Sequence, residues 1–121
     1  MRRTIPRPIS EQEAAVVRAI LARVSFKPIP PSTVEATSSL IVVGTCECGC
    51  SCLDFKSEPN PLLAQPIAGG YGVTPSGLTV EVLLFGTPEV LTAFRVLPLG
   101  HDDGALPRLD SIGMMIPDQR V

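Results

Sequence analysis

The chain has 121 residues, 45% apolar, and only five aromatic side chains (Phe26, Phe55, Tyr71, Phe85 and Phe94), so the composition fits a single domain, residues 1–121, with an aliphatic core. The formal net charge is -2, unevenly spread: residues 1–27 carry six basic groups against two acidic, +4, and residues 28–121 carry four basic against ten acidic, -6. A body that repels phosphate and has few aromatics argues against nucleic-acid binding, and the apolar runs Leu40 to Val43 and Val82 to Phe85 fall far short of the ~20 residues a membrane span needs.

Residues 1–9 predict an irregular arm, because Pro6 and Pro8 oppose helix. A helix is expected over residues 10–24. Ser10-Glu11-Gln12-Glu13 fits a capping box, in which the serine oxygen accepts from the Glu13 amide and the Glu13 carboxylate reaches back to the Ser10 amide. Ala14, Val17, Ile20, Leu21 and Val24 then recur on one helical face. Pro28, Pro30 and Pro31 cannot continue the helix, so 25–39 is a connection, with one short turn at Ser32 to Ala36.

Leu40 to Val43 is β-branched and apolar and predicts a strand. The Cys46 to Cys52 segment follows, and Leu53-Asp54-Phe55-Lys56 alternates as the return strand of a hairpin. Residues 57–66, with Pro59, Pro61 and Pro66, predict an exposed loop. Ile67 to Val73 predicts a strand weakened by Gly69, Gly70 and Gly72. Thr74-Pro75-Ser76-Gly77 has proline and glycine where a turn needs them. Leu78 to Phe85 is the strongest strand signal, and Gly86 to Glu89 turns it into Val90 to Leu97. Residues 98–121 are expected as irregular C-terminal cover and tail. The fold class that follows is α+β: an N-terminal amphipathic helix packed on a curved antiparallel sheet of about five strands, formed by residues 40–97.

A capped helix leading to Val42-Val43-Gly44-Thr45-Cys46-Glu47-Cys48-Gly49-Cys50, then Leu53-Asp54-Phe55, then the hairpin 77–96 and Leu106-Pro107 with Leu109, resembles a family of small uncharacterised bacterial proteins, largely actinobacterial. The resemblance covers residues 10–112, and its C-x-C-G-C segment is its distinctive motif. Cys52 departs from the family pattern. The resemblance implies no catalytic residue.

Cys46, Cys48, Cys50 and Cys52 are the first candidates for chemistry. Soft thiolates bind zinc or copper(I). Residues i and i+2 of an extended strand stand roughly 6.6 Å apart, however, whereas a tetrahedral zinc needs sulfurs closer than about 4 Å. The segment has to bend, and Gly49 allows it. The competing readings are four small buried hydrophobes around a turn, or a strained redox pair. Clustered cysteines of this kind do not form a disulfide framework. With Pro6, Arg7 and Pro8 standing where a leader's apolar stretch would lie, a cytoplasmic location is expected.

His101-Asp102-Asp103 could supply a general base or bind a metal, but its setting after Pro98 and Gly100 predicts a solvated loop. Gly69-Gly70-Tyr71-Gly72 lacks the lysine and helix of a phosphate loop and predicts a turn or bulged strand. The function expected is a non-enzymatic interaction or small-ligand-binding domain, without a cofactor or a bound metal, that self-associates as a homodimer. The alternative is a soft-metal or redox-sensing thiol protein using Cys46, Cys48, Cys50 and Cys52. The dimer expectation rests on the strand at 78–85. Leu78, Val80, Val82 and Leu84 lie on one face and Leu83 and Phe85 on the other, with Val90, Phe94 and Val96 beside them, and one helix covers only one face. The loops 25–39 and 57–66, carrying Phe26, Ile29, Leu62 and Leu63, could cover it instead.

Overall fold

The computed structural model describes residues 6–45, 52–55, 65–100 and 104–114. Helix α1 runs over Glu11–Val24 with Ser10 as its N-cap. Both halves of the capping box are made: the Glu13 amide donates to Ser10 Oγ at 3.1 Å, and the Ser10 amide donates to Glu13 Oε1 at 2.9 Å. The apolar stripe is buried as the periodicity requires, with Val17 and Ile20 wholly excluded from solvent. Each such aliphatic side chain contributes about 1.5–3 kcal/mol by leaving water. Arg18 and Arg23 project from the flanks of the stripe, to Ser38 Oγ and to the Leu109 carbonyl.

Where an irregular arm is expected, Arg7–Pro8 forms a short strand, β1. The connection after α1 is more ordered than its prolines suggest. Pro31 opens a helix, α2 (Pro31–Ala36), at a position where its missing N–H costs nothing, and a 3-10 turn follows at Thr37–Ser39. Thr33, buried in α2, donates to the Pro88 carbonyl at 2.6 Å and so ties this connection to the far turn of the sheet. The single strand expected at 40–43 is divided. Strand β2 (Ile41–Val42) pairs antiparallel with β1, and β3 (Gly44–Thr45) pairs with β4 (Leu53–Asp54).

Strands β5 (Pro66–Val73), β6 (Thr79–Gly86) and β7 (Leu91–Pro98) form a meander. The turn at 74–77 closes with the Gly77 amide on the Thr74 carbonyl at 2.9 Å, as proline and glycine there predict. The five-stranded sheet has the order β3-β4-β7-β6-β5, every pair antiparallel. The chain therefore leaves β4 in the interior and re-enters at the opposite edge, β5, before working back to lie beside β4, a Greek-key connection. The fold is α+β with the N-terminal helix on an open antiparallel sheet.

The pairing register assigns the faces. Gly70, Val82 and Val96 align across β5, β6 and β7, as do Ala68, Leu84 and Phe94. These side chains are buried and join the α1 stripe in one core with Val42, Leu53, Ile67 and Ile112. Phe94 and Val96, expected to add apolar surface beside the strand at 78–85, belong to the covered face: Phe94 sits opposite Leu84, and alternation directs both toward the helix side. Gly70 permits the close approach of two neighbours here. A Cβ at this position would collide with the Gly113 carbonyl oxygen and lie 2.9 Å from Val24 Cγ1 of α1.

The outer margin of β5 is occupied by backbone from both ends of the chain. The Phe26 amide donates to the Ile67 carbonyl at 2.8 Å, and Ser25 bridges Ala68. Farther along, Tyr71 and Gly113 exchange two hydrogen bonds, at 2.8 and 3.0 Å, and the Arg108 amide donates to the Val73 carbonyl at 2.8 Å. The segment expected as irregular cover thus performs that role through defined contacts, with a 3-10 turn at Leu109–Ser111.

Candidate functional site

The register of β3 with β4 sets Gly44 opposite Asp54 and Thr45 opposite Leu53, so all four cysteines fall in the connection, 46–52, of this one hairpin. Cys46, Cys48 and Cys50 lie outside the described residues, as do Gly49 and His101, Asp102 and Asp103. Cys52 is described, and it is buried with a free thiol. Its sulfur meets the backbone of β7: the Val96 amide donates to Sγ at 3.4 Å, and the thiol donates to the Val96 carbonyl at 3.6 Å. Pairing of β4 with β7 covers only Leu53 with Phe94 and Asp54 with Ala93. Beyond that point the Cys52 side chain meets the peptide groups of Val96 where strand backbone would otherwise pair with them.

Two residues along from Cys52, Asp54 accepts from Arg95 Nη2 at 2.7 Å on Oδ1. Arg95 Nη1 also donates to the carbonyls of Leu53 and Phe94, each at 3.0 Å. One guanidinium thereby clamps the return strand of the hairpin to β7. Gly44 makes room for this clamp, since a Cβ there would stand 3.0 Å from Asp54 Oδ2. Sequence reasoning missed Asp54, Arg95 and Val96 as supports of the cysteine hairpin, because more than forty residues separate them along the chain.

The chemistry available follows from this arrangement. Cys52 acts as a small buried hydrophobe whose sulfur is engaged with peptide groups, the structural use of cysteine. Among the described residues no three His, Cys, Asp or Glu side chains converge as a metal-binding group. The glycines at 69, 70 and 72 lie within β5 in unbroken register with β6, in a strand and not in a turn or a phosphate cradle, and the register irregularity of β5 falls earlier, between Pro66 and Ala68.

The chain matches no known protein family, no curated protein and no solved structure.

A second surface lies on the reverse of the sheet. There Leu83 pairs with Gly69 and Arg95, and Glu81 pairs with Tyr71 and Leu97. Tyr71, Glu81, Leu83, Phe85 and Arg95 are half-buried, Leu97 is 40% exposed, and Thr79 and Ala93 are buried. Phe26, from the connection after α1, reaches over the Gly69 position beside Leu83 and is itself 53% exposed. Among the described residues no helix packs on this face. No helix of the described residues is long and apolar enough to cross a membrane.

Proposed function

We propose that this chain is a cytoplasmic, non-enzymatic interaction domain of the small bacterial kind it resembles, and that it self-associates as a homodimer through the reverse face of its sheet. The observation that carries the reading is the asymmetry of the two faces. Val82, Leu84, Phe94 and Val96 are buried on the helix side, while Leu83, Phe85, Leu97 and Phe26 give the reverse side apolar character around the polar groups of Glu81 and Arg95. Apolar surface of this kind favours association, and closed two-fold pairing is its commonest form. Light scattering coupled to size exclusion at micromolar concentration tests it. Twice the chain mass is expected, falling to one chain mass in Leu97→Glu with an unchanged circular dichroism spectrum. A monomer mass for the unaltered protein would exclude the dimer.

One observation favours a second reading, soft-metal binding or thiol redox chemistry at the cysteine hairpin. The connection holding Cys46, Cys48 and Cys50 has its base anchored to β7 through Cys52 and the Arg95 clamp. On this reading three thiols act and Cys52 supports them. Elemental analysis and thiol titration of freshly purified protein distinguish the two: near one equivalent of zinc or copper favours the thiolate site, and four metal-free thiols favour the interaction domain.

A further inference from the structure

Among the described residues, the arm is attached by few groups, and one carboxylate joins them. β1 and β2 form their own two-stranded sheet, separate from the five-stranded one. The Ile9 amide donates to the Leu40 carbonyl at 2.9 Å, and Ile9 is buried, but Pro8 is exposed. Arg7 grips Glu13 with two parallel hydrogen bonds, Nη1 to Oε1 at 3.0 Å and Nη2 to Oε2 at 2.9 Å. Those side chains are only 14% and 11% exposed, so the pair is largely shielded from water and salt. The same Oε1 accepts from the Ser10 amide in the capping box. Glu13 therefore fastens the arm and starts the helix with one negative charge.

We propose that residues 6–13 form an acid-releasable strap: neutralising Glu13 frees the arm from β2 and frays the first turn of α1, while the five-stranded sheet stays folded. Ile9 is the buried apolar residue of the arm, at the margin of the core in which Val42 of β2 is wholly buried. Segments with few buried contacts open at lower free energy than the whole domain. Among the described residues, Arg7 faces Glu13 from the arm. On α1 the neighbouring ionisable groups are Glu11 and Arg18, which line the groove of about 490 Å³ beside the cap with Ile9, Ala14 and Ser38. The 3-10 turn at Thr37–Ser39 and β2 contribute no ionisable side chain. Release of the strap widens this groove and bares the Ile41–Val42 edge, which β1 otherwise occupies.

Amide hydrogen exchange of the full chain, read by NMR as protection factors, tests the strap. In Glu13→Gln at neutral pH the Ile9 amide is expected to lose at least tenfold in protection, with the Val82 and Leu84 amides unchanged. The unaltered protein should show the same selective loss as pH falls below the ordinary glutamate range. Arg7→Gln, which keeps the capping box, provides a second variant in which Ile9 loses protection and the Glu13 amide keeps it. Equal loss at Ile9 and Val82, or undiminished protection of Ile9 in both variants, would overturn the proposal.

Discussion

Asp54 and Arg95 form a charged pair, 2.7 Å apart, that joins the return strand of the cysteine hairpin to the middle of the sheet. The two side chains remain 29% and 20% exposed, so solvent screens part of their attraction. Arg95 also donates to two backbone carbonyls and thus has more to lose. Asp54→Asn is expected to cost about 1 kcal/mol, and Arg95→Met about 2 kcal/mol, from charge-assisted bonds of this kind. Urea denaturation of each variant measures the difference.

Cys52 is expected to resist labelling by a water-soluble thiol reagent while the chain is folded, since its sulfur is buried against Val96. Cys52→Ala leaves the Val96 amide without that partner and should cost roughly 1–3 kcal/mol, the range for an unsatisfied buried donor. Mass spectrometry of peptides labelled under native and denaturing conditions reads the protection residue by residue.

Burial alone would raise the Glu13 carboxyl, but hydrogen bonds from Arg7 and Ser10 and the charge of Arg7 outweigh it and hold the group below its ordinary range. A carboxyl lowered in the folded state stabilises the fold above its unfolded value, and that stabilisation is lost as pH falls through the folded value. The stability gap between the unaltered protein and Glu13→Gln should therefore be largest at neutral pH and shrink on acidification. Chemical denaturation of the two proteins between pH 7 and pH 3 checks the sign.

Ser10→Ala removes the acceptor for the Glu13 amide and should destabilise the domain by roughly 0.5–2 kcal/mol. The loss is expected as a lower denaturation midpoint with an unchanged slope, because the surface exposed on unfolding stays the same.

Gly70→Ala places a methyl group against the Gly113 carbonyl and Val24. Overpacking of this kind typically costs 1–3 kcal/mol. The Tyr71–Gly113 exchange of hydrogen bonds should weaken first, and faster proteolysis within residues 104–114 would report it.

The helix and the meander were legible in the sequence because their determinants are local. Ser10 and Glu13 are three residues apart, the α1 stripe repeats within fourteen residues, and the 74–77 turn carries its own proline and glycine. The division of the apolar run at 40–43 was not legible, since it depends on Arg7 and Pro8 arriving from one direction and Asp54 from another. The facing of β7 was not legible for a similar reason. Phe94 and Val96 look available beside the strong strand until the register with Leu84 and Val82 assigns them to the covered face. Of the candidate site, the cysteine cluster was visible at once. Its attachment through Val96 and Arg95 depends on β7 returning beside β4, which no short stretch of sequence encodes.

The covered margin of β5 limits what assemblies the sheet can form. Ser25 and Phe26 occupy one end of that margin, and residues 108–113 occupy the other. Endless stacking of sheets edge to edge requires an adhesive border on each side of every subunit. The described residues seal the β5 border, so edge-to-edge growth of the five-stranded sheet through its other border alone stops after a single addition.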